Sequence, residues 1–555
     1  MIDRLLRRTA PACALAVTLA GLGVACAARQ SDRATRPRLV VLVAVDQLRG
    51  DLLPVYRPAF TSGLRRLLDE GRWFPEARIA HVPSNSMPGH VTLATGMHPR
   101  HHGIVDNGFF ELPDGESPAR YVSAVQDSTV RVPGADDESG VSPRRLRTGG
   151  IADWIVAEDG RARVVAISMN EYGALLHAGR GHERRAVYWF APGAGRFVTT
   201  TYYDTATPPW IAAVNAALSR AIPAETLWTP IVPPTARGLA LPDDGPWENG
   251  GLHTRFPHRW PAERDPDWKP THPHWLYFTP FPDSVTLALA RAVIETTPLG
   301  RGAAVDYLSI TLGSSDGIGH WYGPRSLEAL DNLVRLDREL GALLRTLDRV
   351  VGRDGYVLAL SADHGVADIP EAPRAPGAID FGPRDGRRVS PAQLDSLFAR
   401  LAREAPRTLA PDSARSIAER VLRAQPFVAS VMRRSELADS TAPPVDSFVT
   451  LYRNGWHPRR IPVRPLASAM GTLARFGLEA RLQPGTVVGD VPAEHGSPYD
   501  YDRRVALIFF GAGVASGRDD RAARTVDVAP TLAALAGVRP PATDGRSLLG
   551  APTER

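Results

Sequence analysis

Acidic and imidazole side chains follow three separate apolar runs of the sequence. Asp46 ends the first run, Asp316 lies just after the second, and Asp363 and His364 follow the third. Continuous apolar, β-branched runs are typical of strands buried on both faces of a parallel sheet. Because ligands of open parallel sheets bind outside the carboxyl ends of the strands, these side chains are predicted to meet at one sheet edge.

Two further histidines extend this set. His320 stands four residues after Asp316, and His495 lies in a later Glu-His-Gly-Ser-Pro segment. Zinc takes carboxylate oxygen and imidazole nitrogen at roughly 2.0–2.2 Å, and two such ions can hold the attacking and leaving oxygens of a displacement at phosphorus. Singly, each residue also fits an N-cap, a helical surface pair or a turn, so only their coincidence indicates a metal centre.

A candidate nucleophile and a candidate hydrogen-bond donor lie near the start of a predicted helix. Ser86 precedes that helix, with Pro88 in its first turn. Backbone N–H groups and the helix dipole favour an anion there, and a serine hydroxyl touching a metal loses its proton readily. Asn107 could donate a side-chain N–H to a phosphoryl oxygen. Two alternatives stay open: Ser86 only caps the helix, and Asn107 is only a turn residue.

The elements that must position these residues alternate between strand and helix. Strands are predicted at 38–46, 164–168, 304–312, 355–361 and 505–510, and helices at 59–71, 283–297, 326–349 and 526–536. This alternation predicts an α/β fold, with a doubly wound, mostly parallel central sheet flanked by helices.

Residues 38–550 are predicted to form one catalytic domain with two insertions, at about 180–282 and 376–484. The first is rich in Trp, Pro, Tyr and His with few long periodic segments, and the second is predicted to mix short helices with Pro/Arg-rich loops. We expect them to cap or flank the edge of the sheet where the candidate site lies.

The N-terminus has the pattern of an export signal. A basic start, a small apolar run over 10–25 and an Ala-Cys-Ala cleavage site predict a signal peptide over residues 1–28, followed by a polar linker over 29–37. Alternatively, a lipoprotein signal is cleaved before Cys26, and Cys26 carries a lipid anchor. The protein is therefore expected in the periplasm or outside the cell.

Composition excludes several classes. Glycine and proline number 49 and 50 of 555 residues, below the roughly 25–30% that indicates low-complexity disorder. The net charge of +5 is spread thinly, and no nucleic-acid-binding module is evident. Cys13 and Cys26 are the only cysteines, so the body of the chain has neither a disulfide nor a cysteine metal site.

The motifs resemble a known family when taken in order. They are Ser86-Met-Pro-Gly-His90, His102-Gly-Ile-Val-Asp-Asn107, Ser314-Ser-Asp-Gly-Ile-Gly-His320, Ser361-Ala-Asp-His364 and His495-Gly-Ser-Pro-Tyr-Asp500. The sequence resembles the alkaline phosphatase superfamily, and more narrowly the type I phosphodiesterase/nucleotide pyrophosphatase group and its periplasmic alkaline phosphatase relatives.

The resemblance implies a two-zinc hydrolase of small phosphate esters. One zinc would be held by Asp316, His320 and His495, and the other by Asp46, Asp363 and His364 with a contact to Ser86. Ser86 would form a phosphoseryl enzyme that water then hydrolyses, and Asn107 would steady a phosphoryl oxygen. His90 and His102 match family positions for which we expect packing or supporting roles.

Two positions depart from the family pattern. The relatives commonly have threonine where Ser86 stands, and the monoesterases carry a Lys-x-Arg pair where this chain has Asn170 and Tyr172, the expected substrate contacts. Without those cations a dianionic monoester loses charge-assisted contacts, which favours phosphodiesters or nucleotide pyrophosphates, although Arg180, Arg184 or Arg185 could compensate. The alternatives are a broad-specificity alkaline phosphomonoesterase and a non-catalytic cell-surface binding protein that retains the fold.

Overall fold

The computed structural model describes residues 36–112, 120–135, 138–191, 194–222, 226–259, 275–374, 386–438, 446–463 and 476–550. The predicted signal peptide and nearly all of the linker lie outside these residues. In the described part of the chain, no helix is both long and apolar enough to span a bilayer.

The described residues form eighteen strands and sixteen α-helices. The strands are β1 (Leu39–Val45), β2 (Arg72–Trp73), β3 (Ala77–Arg78), β4 (Gly108–Glu111), β5 (Arg120–Ser123), β6 (Val164–Ser168), β7 (Arg185–Ala191), β8 (Arg196–Val198), β9 (Asp306–Leu312), β10 (Tyr356–Ser361), β11 (Arg387–Val389), β12 (Val428–Arg433), β13 (Arg460–Pro462), β14 (Leu478–Leu482), β15 (Thr486–Val488), β16 (Leu507–Gly511), β17 (Gly517–Arg518) and β18 (Ala523–Arg524). The helices are α1 (Leu52–Tyr56), α2 (Gly63–Glu70), α3 (Ser86–Thr95), α4 (Pro99–His102), α5 (Ile151–Glu158), α6 (Glu171–Ala178), α7 (Pro209–Ala221), α8 (Phe281–Thr296), α9 (Ser314–Tyr322), α10 (Leu327–Val350), α11 (Pro391–Glu404), α12 (Pro411–Arg423), α13 (Arg434–Ala438), α14 (Ser447–Gly455), α15 (Asp500–Arg503) and α16 (Val528–Leu535).

A nine-stranded sheet forms the centre of the fold. Its order is β17-β2-β16-β10-β1-β9-β6-β7-β8. The neighbours from β10 to β7 run parallel, whereas β16 is antiparallel to β10. All seven residues of β1 are buried, as its unbroken apolar sequence predicts for a strand covered on both faces. The prediction of a mostly parallel α/β sheet flanked by helices is confirmed.

The register of this sheet brings the candidate residues together. Val45 of β1 pairs with Leu312 of β9, and Ala44 pairs with Ser361 of β10. The carboxyl ends of these three strands therefore lie side by side. The segments that carry Asp46, Asp316 and Asp363 leave the sheet at the same edge.

The two expected insertions differ in how they join the sheet. Strands β7 and β8 fall within the first, yet they extend the central sheet beside β6. The second contains α11 to α14 and has an apolar cluster of its own that includes Leu401 and Val421. Its strand β13 pairs with β4, which begins directly after Asn107, so this insertion borders the candidate site.

Candidate active site

Three side chains form a first buried cluster, which we call the Asp46 cluster: Asp46, Asp363 and His364. The Nε2 atom of His364 lies 3.2 Å from Asp46 Oδ1 and 3.3 Å from Asp363 Oδ2. The Nδ1 atom of His364 lies 2.9 Å from the Gly365 carbonyl oxygen. Because a carbonyl only accepts, Nδ1 carries a proton, and Nε2, which faces the carboxylates, is the ring nitrogen that would bind a cation.

The second cluster, the Asp316 cluster, contains Asp316, His320 and His495. Asp316 and His320 share one face of α9, with His320 Nε2 3.2 Å from Asp316 Oδ1, and His495 Nε2 lies 3.8 Å from the same oxygen. The Nδ1 atom of His320 donates to the Ala493 carbonyl at 2.7 Å, and that of His495 donates to the Ser84 carbonyl at 2.9 Å. Both Nε2 atoms are therefore left as potential ligands.

The two clusters are adjacent. The rings of His364 and His495 stack with centroids 3.7 Å apart. Ligand atoms of Asp316, His364 and His495 all lie within 4.8 Å of one another. The six side chains predicted from the sequence therefore converge at one edge of the sheet.

The charge distribution of this group fits a bound cation. Asp46 Oδ1 and Asp363 Oδ2 are buried without a hydrogen-bond partner among the described residues. Burial and the nearby Asp46 carboxylate raise the pKa of Asp363 to about 7. Burial alone would lower the pKa of His364, but Asp363 and Asp46 outweigh it and raise that pKa to about 10. A divalent cation would offset this concentration of buried negative charge, and carboxylate with imidazole is a donor set that suits zinc.

Ser86 is the first residue of α3 and faces the Asp46 cluster. Asn85, in extended conformation, occupies the N-cap, and its Nδ2 donates to Asp106 Oδ1 at 2.7 Å. The Ser86 hydroxyl is therefore not used as a helix cap. Its Oγ lies 3.0 Å from His364 Nε2, on the side of the ring that faces the carboxylates.

Asn107 lies at the same helix terminus. The Met87 N–H donates to Asn107 Oδ1 at 2.8 Å, which leaves the Nδ2 hydrogens of the amide for another acceptor. The neighbouring Asp106 accepts from the Asn107 backbone N–H at 2.7 Å. This arrangement holds a side-chain N–H donor beside Ser86, where a phosphoryl oxygen would need one.

Gly89 allows α3 to approach the Asp46 cluster. A Cβ at this position would lie 2.4 Å from the Asp363 carbonyl oxygen, so Gly89→Ala must push the helix away from the strand end. We expect kcat to fall roughly 100-fold, since about 1 Å of misplacement costs that much. Initial rates check this, with Gly160→Ala, where a Cβ meets nothing within 4 Å, as the control. Unchanged kcat in Gly89→Ala would contradict the expected displacement.

Asn170 and Tyr172, the predicted substrate contacts, are both bonded within the protein. Asn170 is the N-cap of α6, and its Oδ1 accepts from the Gly173 N–H at 3.1 Å. The Tyr172 hydroxyl donates to Asp46 Oδ2 at 3.0 Å. Tyr172 thus borders the Asp46 cluster, and neither side chain carries a positive charge.

Two of the arginines considered as substitutes are bonded elsewhere. Arg185 forms a 2.9 Å ion pair with Asp153. The Arg180 guanidinium donates to the Arg147 carbonyl oxygen at 3.3 Å. Arg184 is exposed. These contacts give no support to a replacement for the missing cationic pair.

The two family-matched histidines differ in position. His90 Nε2 lies 3.4 Å from Asp363 Oδ2 and 3.6 Å from Asp46 Oδ2, next to both carboxylates of the Asp46 cluster. His102 Nε2 lies 3.2 Å from the Thr92 hydroxyl within α3 and α4. These positions are consistent with supporting and packing roles.

Sequence reasoning missed three residues beside the clusters. Gln47 and Tyr277 both donate to Asp316, at 2.7 and 3.1 Å, and the Glu494 carboxylate lies within 4.8 Å of the ligand nitrogens of His320 and His495. Gln47 and Glu494 stand directly beside the predicted ligands Asp46 and His495 in the sequence, and this adjacency could have identified them. Tyr277 lies in the first expected insertion and belongs to no motif.

Comparison with known proteins identifies the family of this chain. The profile of the family "Type I phosphodiesterase / nucleotide pyrophosphatase" matches residues 40–457. Alkaline phosphatase PafA of Elizabethkingia meningoseptica is 29% identical, over 93% of this chain and 94% of its own. Alkaline phosphatase PhoK of a Sphingomonas species is 30% identical, over 94% and 92%.

The three-dimensional fold is also similar to that of a solved alkaline phosphatase. The crystal structure of wild-type PafA superposes with a TM-score of 0.78 at 25% identity, covering 93% of this chain and 98% of that one. The family profile also spans most of the chain, including Asp46, Ser86, Asp316 and Asp363. The chain therefore belongs to the type I phosphodiesterase/nucleotide pyrophosphatase family of the alkaline phosphatase superfamily and is a phosphoric-ester hydrolase.

Proposed function

We propose that this protein is an exported, two-zinc phosphoric-ester hydrolase that works through a phosphoserine at Ser86 and favours phosphodiesters or nucleotide pyrophosphates. The observation that supports it most is the convergence of the Asp46 and Asp316 clusters beside the Ser86 hydroxyl. Each cluster would hold one zinc ion. When bound, the two ions would act as Lewis acids that offset charge on the attacking and leaving oxygens.

The residues of the chain perform a two-step displacement. Ser86 releases its hydroxyl proton to water and its Oγ attacks phosphorus, while the bond from phosphorus to the leaving alcohol breaks and the alcohol takes up a proton from water. The Asn107 side-chain amide binds a non-bridging oxygen, and the positive end of the α3 dipole favours the anionic phosphoryl group. Water then cleaves the phosphoserine ester, which releases the phosphate product and restores the Ser86 hydroxyl.

The preference for diesters follows from charge. A phosphodiester has one negative charge, whereas a monoester dianion has two and gains more from cationic contacts. The Tyr172 hydroxyl donates its hydrogen bond to Asp46, and the Asn170 side-chain carbonyl caps α6. The names of PafA and PhoK favour a second candidate, a broad-specificity alkaline phosphomonoesterase.

Substrate preference can be measured directly and then reversed. We expect the wild type to have a higher kcat/KM on bis-nitrophenyl phosphate than on nitrophenyl phosphate. Asn170→Lys combined with Tyr172→Arg should raise the monoester-to-diester ratio by about tenfold or more, because two cations return to the site. Tyr172→Phe is the uncharged control and should change both rates alike. A wild type that prefers the monoester by about tenfold or more would contradict the diester assignment.

A measurement of zinc content and turnover distinguishes the proposed hydrolase from a non-catalytic protein with the same fold. Purified protein should hold two zinc ions per chain and lose turnover on chelation with EDTA, with recovery when zinc is returned. A cell-surface binding protein that only retains the fold should show neither stoichiometric zinc nor turnover. Zinc is expected over magnesium because imidazole nitrogens make up half of the six ligands.

Export is part of the proposal. Fractionation of producing cells should place the mature chain in the periplasm or outside the cell, and mass spectrometry of its N-terminus should find cleavage near residue 28 or an acylated Cys26. A full-length chain retained in the cytoplasm would contradict it.

A further inference from the structure

Gln47 makes a hydrogen bond to each of the two clusters. It follows Asp46 at the end of β1 and is buried. Its backbone N–H donates to Asp363 Oδ1 at 3.2 Å, and its side-chain Nε2 donates to Asp316 Oδ1 at 2.7 Å. One residue therefore holds a carboxylate of the Asp46 cluster and a carboxylate of the Asp316 cluster.

The backbone at Gln47 adopts a conformation that non-glycine residues seldom use. Its φ angle is +67°, in the left-handed region, where a side chain is held only when its surroundings over-determine it. Here the surroundings are the two carboxylates. Strain of this kind at the edge of a catalytic centre indicates a positioning function rather than a requirement of the sheet.

Gly319 on α9 makes room for this bridge. A Cβ at Gly319 would lie 1.8 Å from Gln47 Oε1, so any other residue there would displace the amide. Gly319 directly precedes His320, a member of the Asp316 cluster. The Gln47 side-chain amide thus reaches from the end of β1 to Asp316 on α9. It passes through the space that Gly319 leaves because it has no side chain.

Asp316 is consequently fixed on both oxygens. Gln47 binds Oδ1, and the Tyr277 hydroxyl donates to Oδ2 at 3.1 Å. Outer donors of this kind orient ligating carboxylates and commonly change metal affinity by about 10–100-fold. Of these two donors, Gln47 is the one that also touches the Asp46 cluster.

We propose that Gln47 is a positioning residue that couples the two clusters, so that a metal ion at Asp46, Asp363 and His364 prepares Asp316 for the second ion. An ion bound by Asp363 orders its other oxygen and therefore the Gln47 backbone. The Gln47 amide is then held toward Asp316. This inference rests on the proposed two-metal function, and the proposed function itself does not require the coupling.

Stepwise zinc titration against a chromogenic chelator tests the coupling without measuring turnover. In Gln47→Met the backbone donor to Asp363 remains but the amide is lost. We expect the affinity of the Asp316 cluster to fall by about 10–100-fold and that of the Asp46 cluster to change by less than about threefold. The wild type should bind its second zinc more tightly once the first is in place, and the variant should lose that gain.

Two further variants separate positioning from general damage. Gly319→Ala displaces the same amide from the α9 side and should weaken the same zinc step, so the test stands even if Gln47→Met folds poorly. Gln126→Met, on an exposed residue outside the site, should leave both affinities unchanged. A merely structural role for Gln47 would lower both zinc affinities alike, whereas a positioning role lowers that of the Asp316 cluster, and a melting curve of each EDTA-treated variant checks that it folds.

The outcomes are distinct. If the wild type binds two zinc ions but both affinities in Gln47→Met and Gly319→Ala stay within about threefold of it, the coupling is wrong and the proposed function stands. If the wild type binds fewer than two zinc ions, the proposed function and the coupling fail together.

Discussion

Ser86→Ala is expected to lower kcat on a phosphodiester by roughly 10³-fold or more, the scale seen when a nucleophile is removed. The Ser86 hydroxyl oxygen lies 3.0 Å from His364 Nε2, and alanine has nothing with which to attack phosphorus. Folding and zinc content should be nearly unchanged, since Ser86 caps no helix. Initial rates, a thermal melt and a zinc assay on the same preparation check all three.

Two companion variants define what this loss means. Ser86→Thr should retain much of the activity, because it keeps an attacking hydroxyl at the start of α3. Ser84→Ala removes the neighbouring hydroxyl that donates to the Ser497 carbonyl but leaves the Ser84 carbonyl that His495 uses, so its rate should stay within about threefold of wild type. If Ser86→Ala keeps more than about a tenth of the wild-type rate, another nucleophile must exist. Acid quenching during turnover of a phosphodiester should also trap the phosphoryl group, with its remaining ester, on Ser86 in the wild type and in Ser84→Ala but not in Ser86→Ala.

Asp363→Asn should produce the second large effect. The amide keeps the volume of the carboxylate but removes a negative charge that would face the cation in the Asp46 cluster. We expect about one zinc ion per chain instead of two, and a rate lowered by roughly 10³-fold, because the attacking hydroxyl loses its Lewis acid. Asp412→Asn, whose side chain is 92% exposed and paired with Arg415, is the matched control. A variant that retains both zinc ions would contradict the ligand assignment.

Stability of the same variant should depend on whether metal is present. In the metal-free protein the pKa of Asp363 is raised from 3.8 to about 7, so stability falls as the pH rises between these two values and the full loss is present above pH 7. At pH 8 the EDTA-treated variant should therefore melt at the same temperature as EDTA-treated wild type, or higher. With zinc present the order should reverse. Melting curves of the four preparations at pH 8 measure both differences.

Much of this centre could be predicted because it depends on local sequence and on one rule of sheet geometry. The unbroken apolar sequence of β1 specifies a strand buried on both faces, and parallel pairing then aligns the ends of β1, β9 and β10. Asp46, Asp316 and Asp363 meet as a direct consequence. His320 follows from helical spacing, since it lies one turn after Asp316 on α9.

The parts that could not be predicted depend on long-range packing. Tyr277 reaches Asp316 from a segment with no motif, and nothing in its own sequence specifies that contact. Strand β8 has only three residues. Strand β7 is as long as β1, but its apolar run is largely aromatic instead of aliphatic, and it lies in a stretch predicted to be an insertion. The hydrogen bond from Tyr172 to Asp46 also required coordinates, because the family pattern places a substrate contact there.

The separate apolar cluster of the second insertion, around Leu401 and Val421, has an evolutionary consequence. A layer that holds itself together can accumulate mutations without unfolding the sheet beneath it. Its strand β13 nevertheless pairs with β4, which begins directly after Asn107. Mutations in this layer can therefore shift Asn107, the proposed contact to the phosphoryl group. Selection can thus retune which alcohol groups are accepted while the phosphorus chemistry is inherited intact, and chimaeras that exchange residues 386–463 between relatives are a natural way to study that divergence.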